Sequence, residues 1–369
     1  MTRYEITAVP NYCSNWGLTE ALRELIQNGA DEEKKHPSSK FTIKYNSEDE
    51  IVRFTNKEGI LTIDSLLFGN TDKGEDKETI GEFGEGYKIA AIVLNRLGKE
   101  LTVKNGLAGE VWKSGFHKSE KWGQRVLCFD VYKDDTLPEE LCFEVEGIDE
   151  EAYNSIRQLW VGFHNYEDVE KVTTGQGDII LDERFKGLLY VGGIAIQKNP
   201  GVKTFGYNFN PGVLPLERDR GVVSDYQIGY TIGSMIGYAV EHNLIDEKLA
   251  IECVENNSLE SHYVTGRKIR ELMWNSFKEK NSDDHSIPVC FNDDYKKVKE
   301  AGGNPVFISY YMMNLIRDRA DEEYHNLLKS TDYNDKTTKE KIELWIKKYE
   351  DEIDEDAIKE LEMIIEDLD

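Results

Sequence analysis

The sequence predicts an α+β fold with an N-terminal α/β sandwich, a second α/β domain and a mostly helical C-terminal region. Two observations support this order. Helical and strand periodicities alternate over residues 1–135 and, with shorter strands, over 136–245. Residues 246–369 are mostly helical in pattern, with a small βαβ-like insertion and an acidic tail. A chain of 369 residues is long enough for these three domains.

In the first region, helix and strand patterns follow one another closely. Apolar spacing predicts helices over Leu18–Ala30 and Gly86–Leu97. Ser14 or Asn15 is the expected N-cap of the first helix, and Gly98 is the expected C-cap of the second. Strands are expected at Lys40–Tyr45, Ile51–Thr55, Leu101–Lys104, Gly109–Trp112 and Arg125–Tyr132. A polar NSEDE turn makes the first two of these strands a hairpin.

The later regions show shorter patterns. A glycine-containing helix is expected over Ser224–His242, after the loop PGVLPLERDRG at 211–221. The strands expected before it are Asp178–Leu181, Leu188–Gln197 and Thr204–Phe209. The βαβ-like insertion comprises a strand at Ser286–Phe291, a helix at Asp293–Ala301 and a strand at Pro305–Ser309.

The charge balance is strongly acidic. Forty-five Lys and Arg residues face seventy-one Asp and Glu residues, a net charge of −26. The final 39 residues hold 15 acidic and 6 basic residues, a net charge of −9. Such a surface repels phosphate backbones, so nucleic-acid binding is disfavoured except through a local basic patch.

Several site classes are not indicated by the sequence. The five cysteines are scattered without a C-x-x-C pair, which favours reduced thiols over disulfides or zinc. The seven histidines show no metal-ligand spacing. No apolar run approaches the roughly 18 residues that a membrane span needs, and the N-terminus lacks a secretory pattern. We therefore expect a cytoplasmic protein with no membrane segment.

The first chemically informative segment is LTEALRELIQNGADEE at 18–33. On a helix, Glu24, Asn28 and Asp31 stand at i, i+4 and i+7 and share one stripe. One interpretation is the solvated face of an amphipathic helix. The other is a functional pair, because a carboxylate one turn from an amide can hold a water beside a divalent cation. Magnesium keeps most of its waters, so one amide oxygen and substrate phosphates suffice as further ligands.

Two further segments complete the pattern. GEFGEGYK at 81–88 places Gly81, Gly84 and Gly86 in a G-x-x-G-x-G arrangement that opens a helix. Such glycines let backbone N–H groups approach an anion, although a flexible turn before a helix has the same composition. Between the segments, the strand in IVRFTNKEGI ends near Asn56 and Gly59. This is neither the G-x-G-x-x-G dinucleotide fingerprint nor a G-x-x-x-x-G-K-[ST] phosphate loop.

Taken in this order, the first 130 or so residues resemble the ATP-binding domain of the GHKL superfamily, named for gyrase, the heat-shock-90 chaperone, histidine kinases and MutL. The family motif E-x-x-x-N-x-x-D on the first helix is met by Glu24, Asn28 and Asp31. The resemblance implies a Bergerat-type sandwich that binds ATP and Mg²⁺. It implies Glu24 as the general base that orients the attacking water, and Asn28 as the magnesium ligand.

The resemblance also implies roles for the segment between strand and helix. Residues 66–80 would form the ATP lid. The residues implied in binding phosphate or ribose are Gly81, Gly84 and Gly86 as a phosphate cradle, with Thr71 and Lys73 in the lid. Lys88 is a further candidate for phosphate, with an ordinary surface lysine as the alternative.

The adenine-reading motif departs from the family pattern. The family carries D-x-G-x-G, whose aspartate accepts the adenine amino group, whereas this chain has Asn56-Lys57-Glu58-Gly59-Ile60. An asparagine can still accept through its amide oxygen. Base specificity is therefore open at this stage.

The second domain resembles the transducer domain of the gyrase, chaperone and MutL branches, which sends a basic residue to the terminal phosphate. The loop Leu216-Glu217-Arg218-Asp219-Arg220 offers two arginines for that role, and we prefer Arg220. A salt-bridged loop is the structural alternative. Gln197 and Lys198 are weaker candidates for the same role.

The functional hypothesis is Mg²⁺-dependent ATP binding and slow hydrolysis that drive a lid-closing, dimerising cycle. We expect a homodimer and a protein partner, for which the −26 charge favours a basic surface. The alternative is a non-hydrolysing nucleotide-binding or pseudo-ATPase interaction protein. A histidine kinase is disfavoured because no phosphoacceptor helix precedes the ATP domain, and a full topoisomerase is disfavoured by the charge.

Overall fold

The structure is a computed structural model of the chain. It describes residues 1–67, 86–196, 201–216, 224–282, 285–330, 336–349 and 353–366. Contacts divide the chain into two compact units. The first comprises Met1–Glu170, Leu188–Lys198 and Tyr207–Val223, and the second comprises Lys171–Gly187, Asn199–Gly206 and Ser224–Asp369. The three-domain division with boundaries after 135 and 245 stays a prediction.

Among the described residues, the first unit is built on a seven-stranded antiparallel sheet. Its strands are β1 (Thr2–Ile6), β2 (Phe41–Asn46), β3 (Ile51–Lys57), β4 (Leu101–Asn105), β5 (Glu110–Lys118), β6 (Arg125–Lys133) and β7 (Glu140–Glu146). Their order across the sheet is β1-β6-β5-β4-β7-β3-β2. The predicted β2–β3 hairpin is confirmed, with Phe41 opposite Asn56. Strand β7 lies beyond residue 135 yet pairs with both β3 and β4.

Two helices cover this sheet, α1 (Leu18–Lys35) and α2 (Gly86–Arg96). They pack against each other and against the strands. Alternating apolar residues of the strands, such as Val52 and Phe54, join Leu22 of α1 and Ile92 of α2 in one buried core. Gly29 of α1 lies where a Cβ atom would come within 2.1 Å of the Phe41 ring, so this contact requires glycine. The expected α+β sandwich is confirmed.

The N-cap of α1 differs from the predicted one. The N-cap is Gly17, and its N–H donates to the Glu20 carboxylate at 2.8 Å. Ser14 and Asn15 are therefore not the cap. They fall in a turn whose carbonyls are held by Arg96, which donates to the backbone oxygens of Cys13 and Trp16. These bonds fix the loop before the helix, which begins at Leu18 as predicted.

Residues 150–209 add one helix and five short strands. These are α3 (Glu150–Ile156), β8 (Lys171–Thr174), β9 (Gly177–Ile180), β10 (Leu189–Val191), β11 (Ile194–Ala195) and β12 (Gly206–Phe209). In the first unit, β10 pairs antiparallel with β11 and parallel with β12. The predicted strand Leu188–Gln197 is thus wrong as one element. Gly192 and Gly193 both adopt positive φ and turn it into a hairpin.

The second unit is mostly helical among its described residues. It contains the β8–β9 hairpin, α4 (Asp225–Glu241), α5 (Glu247–Glu255), α6 (Arg267–Lys280), β13 (Ser286–Val289), α7 (Asn292–Glu300), β14 (Asn304–Phe307), α8 (Tyr310–Ser330), α9 (Thr338–Tyr349) and α10 (Glu355–Glu366). The predicted βαβ insertion is confirmed, because β13 and β14 pair in parallel. The buried Glu260 carboxylate accepts the backbone N–H groups of Lys203, Thr204 and Phe205. None of the described helices has both the length and the apolar character needed to cross a bilayer.

A partly buried ion triad joins three strands of the sheet. Glu144 of β7 accepts from Arg53 of β3 at 2.6 Å and from Lys104 of β4 at 2.9 Å. Burial alone would raise the pKa of Glu144, but the hydrogen bonds from Lys104 and Arg53 outweigh it and lower the pKa. A lowered pKa means that the ionised carboxylate stabilises the fold above its unfolded pKa, and that this contribution is lost on acidification.

A second polar anchor links α1 to the sheet. The buried Asn56 amide nitrogen donates to the carbonyls of Gly29 in α1 at 2.9 Å and of Ser39 at 3.2 Å. With two carbonyls facing the nitrogen, the orientation of the amide is fixed by its neighbours.

Replacing Glu144 by glutamine should lower stability at neutral pH and flatten its acid dependence. We expect a loss of about 2 kcal/mol at pH 7, since two charge-assisted hydrogen bonds are weakened. The wild type should lose this advantage as the pH falls from the ordinary glutamate range through the lowered pKa of Glu144. Urea unfolding at several pH values measures both effects.

The control is Glu100→Gln, at an exposed pair with Lys113, which should change stability by less than about 0.5 kcal/mol. Parallel pH profiles for the wild type and the Glu144 variant would contradict the assignment.

Replacing Asn56 by aspartate should destabilise the first unit, although the GHKL motif has aspartate here. The new carboxylate would face two carbonyl oxygens without a proton to donate. We expect a loss of about 3 kcal/mol at pH 7, partly recovered as the pH falls and the carboxyl protonates. The control for added charge is Asn326→Asp, at an exposed position of α8. Unchanged unfolding of Asn56→Asp would refute the bonding scheme.

Candidate functional site

The candidate site lies where α1 meets the first residue of α2. Glu24 and Asn28 are half-buried and stand one turn apart on α1. A Cβ atom on Gly86 would lie 2.5 Å from Glu24 Oε2 and 3.0 Å from Asn28 Nδ2. A side chain at position 86 would therefore displace the ends of Glu24 and Asn28, which now lie in close contact with the start of α2. Glu24 and Asn28 of the segment 18–33 are thus brought together with Gly86 of the segment 81–88.

The same side of α1 is not a solvated surface. Asp31 is fully enclosed, and the neighbouring polar residues Arg23 and Gln27 are buried as well. The interpretation of this face as an exposed amphipathic side is therefore wrong. Glu24 and Asn28 keep partial access to solvent, whereas Asp31 has none, so the structure separates the predicted triad into two accessible groups and one enclosed group.

The N-terminus of α2 presents favourable electrostatics for an anion. A helix N-terminus carries unpaired N–H groups and the positive end of the helix dipole. The first turn of α2 contains no acidic residue, in contrast to the first turn of α1, which contains Glu20. The half-buried Glu24 carboxylate stands immediately beside this positive end.

Lys88 is not the surface lysine considered as an alternative. Its side chain is fully buried, and Nζ donates to the carbonyls of Ser65 at 2.9 Å and Leu67 at 2.5 Å. The Tyr87 hydroxyl donates to the Ser65 carbonyl as well, and burial raises the pKa of this hydroxyl. These bonds tie the short 3-10 helix Ile63–Leu66 to the first turn of α2.

Asn56, the residue predicted to read the base, lies near the end of β3. The amide nitrogen of Asn56 donates to two backbone carbonyls. These bonds occupy the donor group of the side chain, and its acceptor Oδ1 is left for other contacts. Gly59 packs directly beside it, since a Cβ there would lie 3.3 Å from Asn56 Cβ. Asn105 fixes the following turn, because its Nδ2 donates to the Leu61 carbonyl at 2.8 Å.

Several predicted site residues lie outside the described part of the chain. They are Thr71, Lys73, Gly81, Gly84, Gln197, Lys198, Arg218 and Arg220. Their roles stay predictions.

Three residues hold backbone segments around the site, and the sequence did not predict these roles. Arg96 donates to four backbone carbonyls of the loop before α1. Asn105 and Lys88 hold turns at Leu61 and Leu67. Each acts on backbone atoms 21 to 86 residues away, and a single sequence gives no signal for such a contact.

The donor set is compatible with a magnesium ion shared with phosphates. Across the described residues, no group of three or more His, Cys, Asp or Glu side chains is arranged to hold a metal by itself. The amide oxygen of Asn28, beside the start of α2, offers one hard oxygen ligand. This matches the preference of Mg²⁺ for oxygen and for retained waters.

No family model matches the chain, and no curated protein matches its sequence. Solved structures similar to it include two of the ATPase region of Saccharomyces cerevisiae topoisomerase II, one bound to ICRF-187 (dexrazoxane). Each is 11% identical with a TM-score of 0.37, covering 55% of this chain and 76% of that chain. The ATPase and transducer domains of DNA topoisomerase II from Balamuthia mandrillaris are 12% identical with a TM-score of 0.37, covering 76% and 93%.

Proposed function

We propose that the first unit binds ATP with Mg²⁺ and hydrolyses it slowly. The observation that supports this is the meeting of Glu24 and Asn28 with the N-terminus of α2 at Gly86. It places a carboxylate, an amide and a set of anion-binding N–H groups around one point. The order of segments along the chain and the GHKL resemblance support the same proposal.

The phosphates would lie at the N-terminus of α2. The start of α2 lies against the side chains of Glu24 and Asn28, and the helix dipole favours negative charge at this end. Asn28 would bind magnesium through Oδ1. The ion would neutralise phosphate charge as the terminal phosphoryl group is transferred. Gly81, Gly84, Thr71 and Lys73 would complete the phosphate contacts.

Glu24 would act as the general base. Its carboxylate is close enough to the start of α2 to hold a water beside the terminal phosphate. As the water oxygen bonds to phosphorus, its proton would pass to Glu24 and the bond to the nucleoside diphosphate would break. Partial burial limits competing solvent at this carboxylate.

Asn56 would select the base. Because its amide nitrogen is committed to Gly29 and Ser39, only Oδ1 is available to a ligand. An acceptor at this position suits the amino group of adenine and repels the carbonyl oxygen of guanine. The replacement of the family aspartate therefore preserves the direction of the hydrogen bond and removes its charge.

The remaining parts of the cycle are proposals that the described residues do not address. They are closure of the lid over ATP, docking of Arg220 or Arg218 on the terminal phosphate, nucleotide-linked homodimerisation, and coupling to a protein partner with a basic surface. The net charge of −26 favours such a partner.

A non-hydrolysing nucleotide-binding protein is the second candidate. The observation that favours it is Asn56, whose neutral amide binds an adenine amino group less strongly than a carboxylate does. Under this alternative, nucleotide binding persists without turnover.

Replacing Glu24 by glutamine should abolish turnover and spare binding. We expect the rate of phosphate release from Mg-ATP to fall about 100-fold or more, as for loss of a general base, because glutamine cannot accept the proton. Nucleotide affinity should change little. A phosphate-release assay and a binding titration on the same protein measure the two quantities separately.

The matched control is Glu32→Gln on the same helix, which should retain the wild-type rate. Wild-type turnover in Glu24→Gln would refute the base assignment. Binding without turnover in the wild type would favour the second candidate.

A further inference from the structure

The α9 helix has an apolar stripe that the described residues cover only in part. Ile342, Trp345, Ile346 and Tyr349 stand at i, i+3, i+4 and i+7, the spacing of one helix face. No residue of α9 is buried, and Trp345 is 43% exposed. A helix of 12 residues is too short to be stable without tertiary packing. Within the described residues, this face is therefore packed only in part, and Trp345 stays exposed.

The α10 helix also has apolar side chains that are exposed. It packs against α9, yet Met363 is 60% and Ile364 51% exposed. An apolar groove of about 550 Å³ lies between the two helices, lined by Lys341, Ile342, Trp345 and Leu361. Two helices cannot enclose a core by themselves, and a further layer is needed to bury such a groove.

The charges of the two helices indicate what that layer is. α9 contains four lysines and two glutamates, a net charge of +2. α10 contains five acidic residues and one lysine, a net charge of −4. A second α9–α10 pair supplies both an apolar stripe and the opposite charge for each helix. Related by a two-fold axis, each basic helix would lie beside an acidic helix of the other chain.

We propose that α9 and α10 form a self-association surface, in which two copies of the chain build a four-helix bundle. The bundle buries the Trp345 stripe and pairs the lysines of α9 with the carboxylates of α10 across the interface. Bundles of this kind are among the common solutions for amphipathic helices that are short and connected in pairs. This association needs no nucleotide, so it is separate from the proposed ATP-linked cycle and does not depend on it.

The first test is the mass of the full chain in solution without nucleotide, measured by light scattering over a concentration series. The wild type should be a dimer at micromolar concentration. Trp345→Glu should raise the dimer dissociation constant about 30-fold or more, as for a central aromatic at an interface. The control Trp122→Glu alters a tryptophan that is 51% exposed in the first unit, and it should remain dimeric.

The second test exchanges charges between chains. One variant carries Lys341→Glu and Lys348→Glu, which changes α9 to a net −2. The other carries Glu355→Lys, Glu360→Lys and Glu362→Lys, which changes α10 to a net +2. In each variant α9 and α10 have charges of the same sign, so each alone should be monomeric. An equimolar mixture should form a heterodimer, because every helix then meets its opposite.

Three results would overturn the proposal. The wild type could remain monomeric at about 100 μM, a concentration well above the dissociation constant expected for a specific dimer. Trp345→Glu could dimerise as strongly as Trp122→Glu, which would place the interface elsewhere. The mixed variants could fail to associate while circular dichroism reports wild-type helix content, which would show that the helices meet a different partner.

Discussion

The close approach of α1 and α2 is the contact on which the candidate site depends. Gly86 brings the backbone of α2 within van der Waals range of Glu24 and Asn28, and a Cβ atom there would displace the ends of these two side chains. At the other side of α1, Gly29 admits the ring of Phe41 in the same way. Two glycines thus fix the position of α1 against α2 and against the sheet, and so fix where the carboxylate and the amide stand.

The loops around this contact are held by polar side chains that bind main-chain carbonyls. Arg96 fixes the loop before α1, Lys88 fixes the turn at Leu67, and Asn56 joins β3 to α1. Each side chain donates hydrogen bonds to two or more backbone carbonyl oxygens. Replacing Arg96, Lys88 or Asn56 would therefore shift Glu24 and Asn28 indirectly, by releasing the backbone segments that position them.

The sequence predicted the parts of this arrangement that depend on local patterns. Helical spacing located α1 and α2, alternation located the β2–β3 hairpin, and the G-x-G-Y-K segment located Gly86. It did not predict that Lys88 is buried, because its carbonyl partners lie more than 20 residues away. It misplaced the cap of α1, since the bond from Gly17 to Glu20 uses a backbone donor rather than a side chain. The sequence pattern predicted β10 and β11 as one strand, because the residues on both sides of the turn are apolar. The turn is made by Gly192 and Gly193, which both have positive φ.

The central claim is that Glu24, Asn28 and the start of α2 form a nucleotide–magnesium site. The most direct measurement is a calorimetric titration with the non-hydrolysable analogue adenylyl imidodiphosphate, with and without Mg²⁺, on the wild type and on Asn28→Ala. We predict one site per chain, whose affinity depends on Mg²⁺ in the wild type and falls about tenfold or more in the variant, with the Mg²⁺ dependence lost. Absence of binding at millimolar nucleotide, or the same Mg²⁺ dependence in both proteins, would contradict the claim.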